Sequence, residues 1–226
     1  MRTLEPHCNL TPAGVTLPSA PSDGNLFERL EAGAASLPDA VVVTDADGCQ
    51  LTCQQLLDAS LVLAGYMQQR LEVRRGERVL LMMPACTSQA IAWYATLRCD
   101  AVVVALAAHA AAEDVARCAW NTSAHVAIVM QDGLPRVAAL LGDGRLRGSI
   151  VAGPGPSGRP KAGGPPPHPH VHALGDALAA GIAPAPMRAA AGDLAVLAYG
   201  AGTAGHPEVV PWRHGSGVRF PGGCAG

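Results

Sequence analysis

The spacing of apolar positions changes several times along the chain, and each change marks an element. From Asn25, a residue suited to an N-cap, Leu26, Phe27, Leu30 and Ala34 recur at helical spacing until Pro38 interrupts them. The run 40–44 then predicts a strand, closed by the turn residues Asp45, Ala46, Asp47 and Gly48. Thr52 with Gln55 three residues later spells a capping box. The helix it opens carries Leu56, Leu57, Leu61, Leu63, Ala64 and Met67 as far as Leu71.

Beyond this helix, short apolar runs alternate with helical stretches. Strands are predicted over 78–83, 101–106, 126–130 and 148–152, with helices over 87–98, 113–120 and 134–141 between them. A short helix over 174–180 and a strand over 194–199 follow. The strands are unbroken apolar runs, as a sheet covered by helices on both faces requires, since side chains on either side of each strand are then buried. The expected fold class is α/β, three-layer, with a mostly parallel sheet.

Proline and glycine divide this pattern. The stretch GPGPSGRPKAGGPPPHPH, 153–170, cannot propagate a helix or a central strand, because proline lacks the donor and glycine resists ordering. The expected organisation is a mobile tail at 1–24, an α/β block at 25–152, a Pro/Gly-rich linker at 153–172, a segment at 173–214 and a disordered tail at 215–226. The net charge of −2 gives no electrostatic reason for a nucleic-acid or anionic-membrane partner. No apolar run is long enough to span a bilayer, and no basic start followed by an apolar run suggests a leader. The 7 cysteines are odd in number and scattered through apolar segments, which fits reduced thiols and a cytoplasmic protein. Nothing in the pattern sets an oligomeric state.

Candidate chemistry is concentrated in YGAGTAGHPE, 199–208. Successive glycines after an apolar strand let several backbone N–H groups point at one anion, and a threonine hydroxyl adds a donor. A loop of this kind suits a nucleoside triphosphate; an ordinary turn between strands is the alternative. A cation usually accompanies such a loop, but here Glu208 follows it, and of the 16 basic residues only Lys161 is a lysine. Other motifs fail on context. GPGPSG at 153–158 and GAGTAG at 200–205 match the dinucleotide fingerprint, but neither has both the helix and the later acidic residue it needs. His168, His170 and His172 alternate, so an extended chain would put them on one face, where they could hold a metal weakly; a polar loop is the simpler reading. Cys49 and Cys53 lack a second ligand pair for zinc.

Together these segments resemble the adenylate-forming superfamily of acyl-CoA synthetases, luciferases and adenylation domains. Its phosphate loop, Y-T-[SG]-G-T-T-G-x-[PA]-K-G followed by a short strand and a His, is matched by Tyr199, Gly202, Thr203, Gly205, Pro207 and His214. Gly200 and Ala201 are small substitutes, Ala204 lacks a hydroxyl, and Glu208 stands where the family has lysine. Upstream, LTCQQLLDASLVLAGYMQQRLEVRRGERVLLMMP (51–84) and AIAWYATLRCDAVVV (90–104) are similar to family segments in the same order, most of all those of bacterial long-chain fatty acid–CoA ligases. The resemblance runs from about 25 to 214 and implies an incomplete acyl-CoA synthetase-like N-terminal domain. It implies an ATP-binding site at Tyr199, Gly200, Ala201, Gly202, Thr203, Ala204, Gly205 and Glu208, and no catalytic residue or metal ligand within the chain. It implies fatty acid or another carboxylic acid, ATP, Mg²⁺ and coenzyme A as reactants and cofactors of the intact family. The family's adenine pocket, ribose-binding Asp, Mg²⁺-binding Glu and C-terminal lysine come later than the loop. The expected function is thus a truncated or degenerate ligase, inactive as this chain alone. The alternative is a non-catalytic α/β binding or interaction module.

Overall fold

A computed structural model describes residues 24–153, 169–200 and 208–215. The expected tails and most of the expected linker therefore lie outside the described residues. Helix α1 (Leu26–Ser36) starts at Asn25, whose side chain accepts from the Phe27 and Glu28 N–H groups while Glu28 reaches back, a complete capping box. A hairpin follows, β1 (Val41–Thr44) paired antiparallel with β2 (Gln50–Thr52), and β2 leads directly into α2 (Cys53–Arg70). Thr52 and Gln55 form the second capping box. The sequence pattern does not mark β2, because three residues are too few to show an alternation.

The remaining elements are β3 (Arg78–Met82), α3 (Thr87–Arg98), β4 (Val102–Leu106), α4 (Ala112–Thr122), β5 (Val126–Met130), α5 (Leu134–Gly142), β6 (Gly148–Ala152), β7 (Val171–Ala173), α6 (Leu174–Ala179), β8 (Leu194–Gly200) and β9 (Glu208–Arg213). Strands β3 to β9 form one 7-stranded sheet in the order β7-β6-β5-β3-β4-β8-β9, parallel throughout except for the β8–β9 pair. Strand β7 begins inside the stretch expected to be linker, and it pairs with β6 through Ile150 and His172.

The unbroken apolar strands now have a physical account. Val79 and Leu81 of β3, and Val126 and Ile128 of β5, pack with α1, α2, α3 and α6. Leu80, Met82, Ala127 and Val129 face the other way, onto α4 and α5. Both sides of β3 and β5 are buried, so Val79 to Met82 and Val126 to Val129 are all apolar.

Between α6 and β8, an irregular strap covering 181–193 crosses over α2 and α3, and side chains hold its backbone. The Ala185 N–H donates to Gln68 Oε1 (2.8 Å), and Arg98 Nη1 donates to the Ala185 carbonyl (2.8 Å). Asp100 accepts the Arg188 and Ala189 N–H groups at 2.8 and 2.9 Å. The strap lies so close to α2 that a Cβ on Gly65 would stand 2.0 Å from the Ile182 carbonyl oxygen.

One ion pair ties the start of β6 to the entry of β3. Arg147 donates to both carboxylate oxygens of Glu77 (3.1 and 2.5 Å), and to the Leu71 carbonyl (2.6 Å) and the Glu72 carbonyl (3.1 Å). Burial pushes the Glu77 carboxyl upward, but the Arg147 fork, the Arg74 N–H and the nearby positive charges outweigh it, leaving it below its ordinary value of 4.5. A carboxyl depressed in the folded state contributes stability above its unfolded pKa and loses it as pH falls through the folded value. Glu77→Gln is therefore expected to melt below the parent from pH 5 to 7, by about 1 kcal/mol given the partial exposure of the pair. The gap should close as pH falls below the ordinary carboxylate range; a gap unchanged down to pH 3 would contradict this assignment.

Candidate functional site

The carboxyl ends of β3, β4, β5 and β8 lie along one edge of the sheet, because all four run parallel. Strand β8 is aligned with β4 through Ala105 and Ala198, and its last residue, Gly200, pairs with Glu208, the first residue of the returning β9. Of the residues singled out in the sequence, Tyr199, Gly200 and Glu208 are thus brought together at this edge. Ala201, Gly202, Thr203, Ala204 and Gly205 lie outside the described residues, as does Pro207.

The topology gives this edge further meaning. After β3 the chain turns to α3 on one face, and after β4 it turns to α4 on the other. Adjacent strands whose connections leave toward opposite faces open a crevice at their carboxyl ends, the usual ligand position in open parallel sheets. Here β5 and β4 both lead to helices on the α4–α5 face and β3 alone to the α3 face, so the condition holds at β5–β3 and at β3–β4.

One helix end at this edge is already engaged. The N-terminus of α3, where backbone N–H groups would favour an anion, holds the carboxylate of Asp45 from the β1–β2 turn. Asp45 accepts from the Thr87 N–H (2.7 Å) and the Thr87 hydroxyl (2.8 Å), so this helix end is not open to phosphate. Burial pushes the Cys118 thiol on α4 up to about 12, with the nearby Tyr199 hydroxyl pulling the other way. Burial beside Cys118 also raises the Tyr199 phenol. Tyr199 thus lies beside α4.

His214 belongs to the opposite edge. Strand β9 carries it away from Glu208, and it ends fully buried, its Nδ1 accepting the Leu26 N–H at the start of α1 (3.2 Å). Burial lowers its imidazole pKa against the pull of Asp193, Asp100 and Glu28. The match to the family histidine is therefore structural in this chain. His172 likewise pairs within the fold, with the Tyr66 hydroxyl 2.8 Å from its Nδ1. Among the described residues no group of three or more His, Cys, Asp or Glu could hold a metal ion, and Cys49, Cys53, Cys86, Cys99 and Cys118 are free thiols. No helix among them is long and apolar enough to cross a membrane.

The described residues form a three-layer α/β fold whose sheet is parallel except at the β8–β9 pair. The family model described as AMP-binding enzyme matches residues 30–224, and the chain belongs to that family. Solved structures agree on the fold. The anthranilate CoA ligase AuaEII, solved with anthranoyl-AMP, superposes with a TM-score of 0.70 at 22% identity, covering 86% of this chain and 36% of that one. The N-terminal domain of FACL13 from Mycobacterium tuberculosis gives 0.68 at 21% identity, over 84% and 44%. The Mycobacterium tuberculosis fatty acyl CoA synthetase gives 0.65 at 20% identity, over 84% and 34%. The chain thus spans less than half the length of each of these structures. No curated protein matches it.

Proposed function

We propose that this chain forms the first, phosphate-binding part of an ATP-dependent acid–CoA ligase, the class in which a carboxylate attacks the α-phosphate of ATP and coenzyme A then displaces AMP. One observation carries the reading: Gly200 of β8 and Glu208 of β9, which bracket the glycine-rich run in sequence, pair at the carboxyl edge of the parallel strands. Backbone N–H groups from that run, with the Thr203 hydroxyl, would bind the phosphates and oppose the charge that builds on them. Mg²⁺ would enter as its complex with ATP. Fatty acid is the favoured acid, on the wording of 51–84 and 90–104, and the free thiols fit a cytoplasmic setting.

ATP binding by these residues alone is expected to be weak, with Kd on the order of 1 mM, because Glu208 repels the phosphates where a lysine would attract them. Amide resonances titrated with MgATP test it. Saturable shifts concentrated at Gly200 and Glu208 and between them, reduced by Thr203→Ala, are the expected result. Shifts confined to other parts of the sheet, or none, would favour the non-catalytic interaction module. That second reading is supported by exposed Val209 and Val210 on the outermost strand β9.

A further inference from the structure

We propose that His214 is a pH-sensitive latch on α1: its neutral imidazole holds the start of that helix to the end of β9, and protonation in mild acid opens the contact. His214 is the first residue after β9 and is 1% exposed. Its Nδ1 accepts the Leu26 N–H at 3.2 Å, joining residues 188 positions apart. An accepting Nδ1 puts the ring's one proton on Nε2. The protonated ring carries a hydrogen on both nitrogens and cannot accept. The Leu26 N–H would then be buried without its partner, which is costly. Leu26 is also the first residue of α1, where the positive end of the helix dipole disfavours an imidazolium.

Charged groups face the ring from each element packed around it. Glu28 of α1, Asp193 of the strap and Asp100 in the turn before β4 favour the imidazolium, and Arg29 of α1 opposes it. The three acids are already engaged. Asp193 accepts from Arg75 (2.7 Å) and the Ala190 N–H (3.1 Å), Asp100 holds the Arg188 and Ala189 N–H groups, and Glu28 accepts the Asn25 N–H at 2.9 Å. Arg213, next to His214, donates to the Gly192 carbonyl. Burial outweighs the acids, so the docked ring stays below its ordinary value of 6.5. The contact is therefore intact above that value. It weakens as pH falls below it, because the released ring takes the proton that the docked ring refuses. More than one bond depends on the latch. The His214 N–H donates to the Asp193 carbonyl (3.1 Å), the Gly215 N–H to the Ala191 carbonyl (2.7 Å), and Asn25 Nδ2 to the Ala189 carbonyl (3.2 Å). Opening at His214 thus loosens the start of α1 and its seat on the strap together.

The test is amide hydrogen exchange of the full chain, read by NMR from about pH 7.5 to about pH 5.5, a window in which carboxylates stay ionised. The parent, His214→Asn, His214→Leu and the control His172→Asn are compared. In the parent, the protection factor of Leu26 is expected to fall below about pH 6.5, by up to about tenfold per pH unit. His214→Asn, which offers an acceptor that does not titrate, should protect Leu26 nearly as well at neutral pH and show no fall. His214→Leu should lower protection by about tenfold at every pH, and His172→Asn should leave the parent's profile unchanged. Should the His214 variants fail to fold, the parent decides alone: the His214 ring signals should titrate below the ordinary value, in step with the loss of Leu26 protection. A ring that titrates at or above that value while Leu26 stays protected overturns the latch, as does a fall retained in His214→Asn. A profile that His172→Asn changes as much as His214→Asn does would mean that α1 opens only with the whole fold, and the latch falls.

Discussion

Gly65→Val should melt well below the parent, by roughly 8–16 °C for a chain of this size, corresponding to a loss of about 4 kcal/mol. The Cβ it introduces would lie 2.0 Å from the Ile182 carbonyl oxygen, 2.6 Å from the Ile182 carbonyl carbon and 2.8 Å from that of Ala183. These are backbone atoms, so no rotamer change relieves the clash. Either α2 moves off the sheet or the strap lifts, breaking the bonds from Gln68, Arg98 and Asp100. Gly65→Ala should fall between the two, since alanine recovers about 1 kcal/mol of helix propensity. Gly142→Ala, at the end of α5 with nothing within 4 Å of the new Cβ, should melt like the parent. Thermal melts of the three variants decide the point, and proteolysis within 181–193 of Gly65→Val would show the strap released. Co-melting of Gly65→Val with the parent would mean that the strap does not lie on α2.

Assayed as these 226 residues alone, the chain should show no acid-dependent pyrophosphate exchange above background. The residues that the family resemblance assigns to adenine, ribose, Mg²⁺ and the C-terminal lysine have no counterpart among them, and Glu208 occupies the place of the loop lysine. Loss of a single stabilising donor in such a site costs about 10²–10³ in rate. Several together, without a closed site to orient acid and ATP, leave nothing measurable. Glu208→Lys should strengthen MgATP binding without restoring exchange, which separates a weak phosphate site from a missing active site. Palmitate-dependent exchange by the unmodified chain would overturn this expectation.

Much of the architecture was legible because its causes are local. Asn25 with Glu28 and Thr52 with Gln55 announce two helix starts through side chains that reach only three residues, and both capping boxes are present. The strands centred on Leu80, Val104 and Ile128 were visible because burial from both sides forces a continuous apolar run. What escaped was short or depended on distant partners. Strand β2 has too few residues to show a period, and β7 follows a proline-rich stretch that reads as loop. The strap at 181–193 has no pattern of its own; Gly65, Gln68, Arg98 and Asp100 hold it, and none of them signals this in sequence.

The candidate site divides the same way. The sequence alone determined that a glycine-rich run follows an apolar strand and that Glu208 stands where a cation is expected, because residue type and spacing are properties of the chain itself. Only the tertiary structure decided that Gly200 and Glu208, on either side of it in sequence, pair at the carboxyl edge of the parallel strands. It also decided that Asp45 closes the α3 N-terminus and that His214 serves α1 from the far edge. Each of these contacts joins residues far apart in the chain, by up to 188 positions. Strand order brings them together, and strand order depends on how whole helices pack against both faces of the sheet, information that no local window of sequence contains.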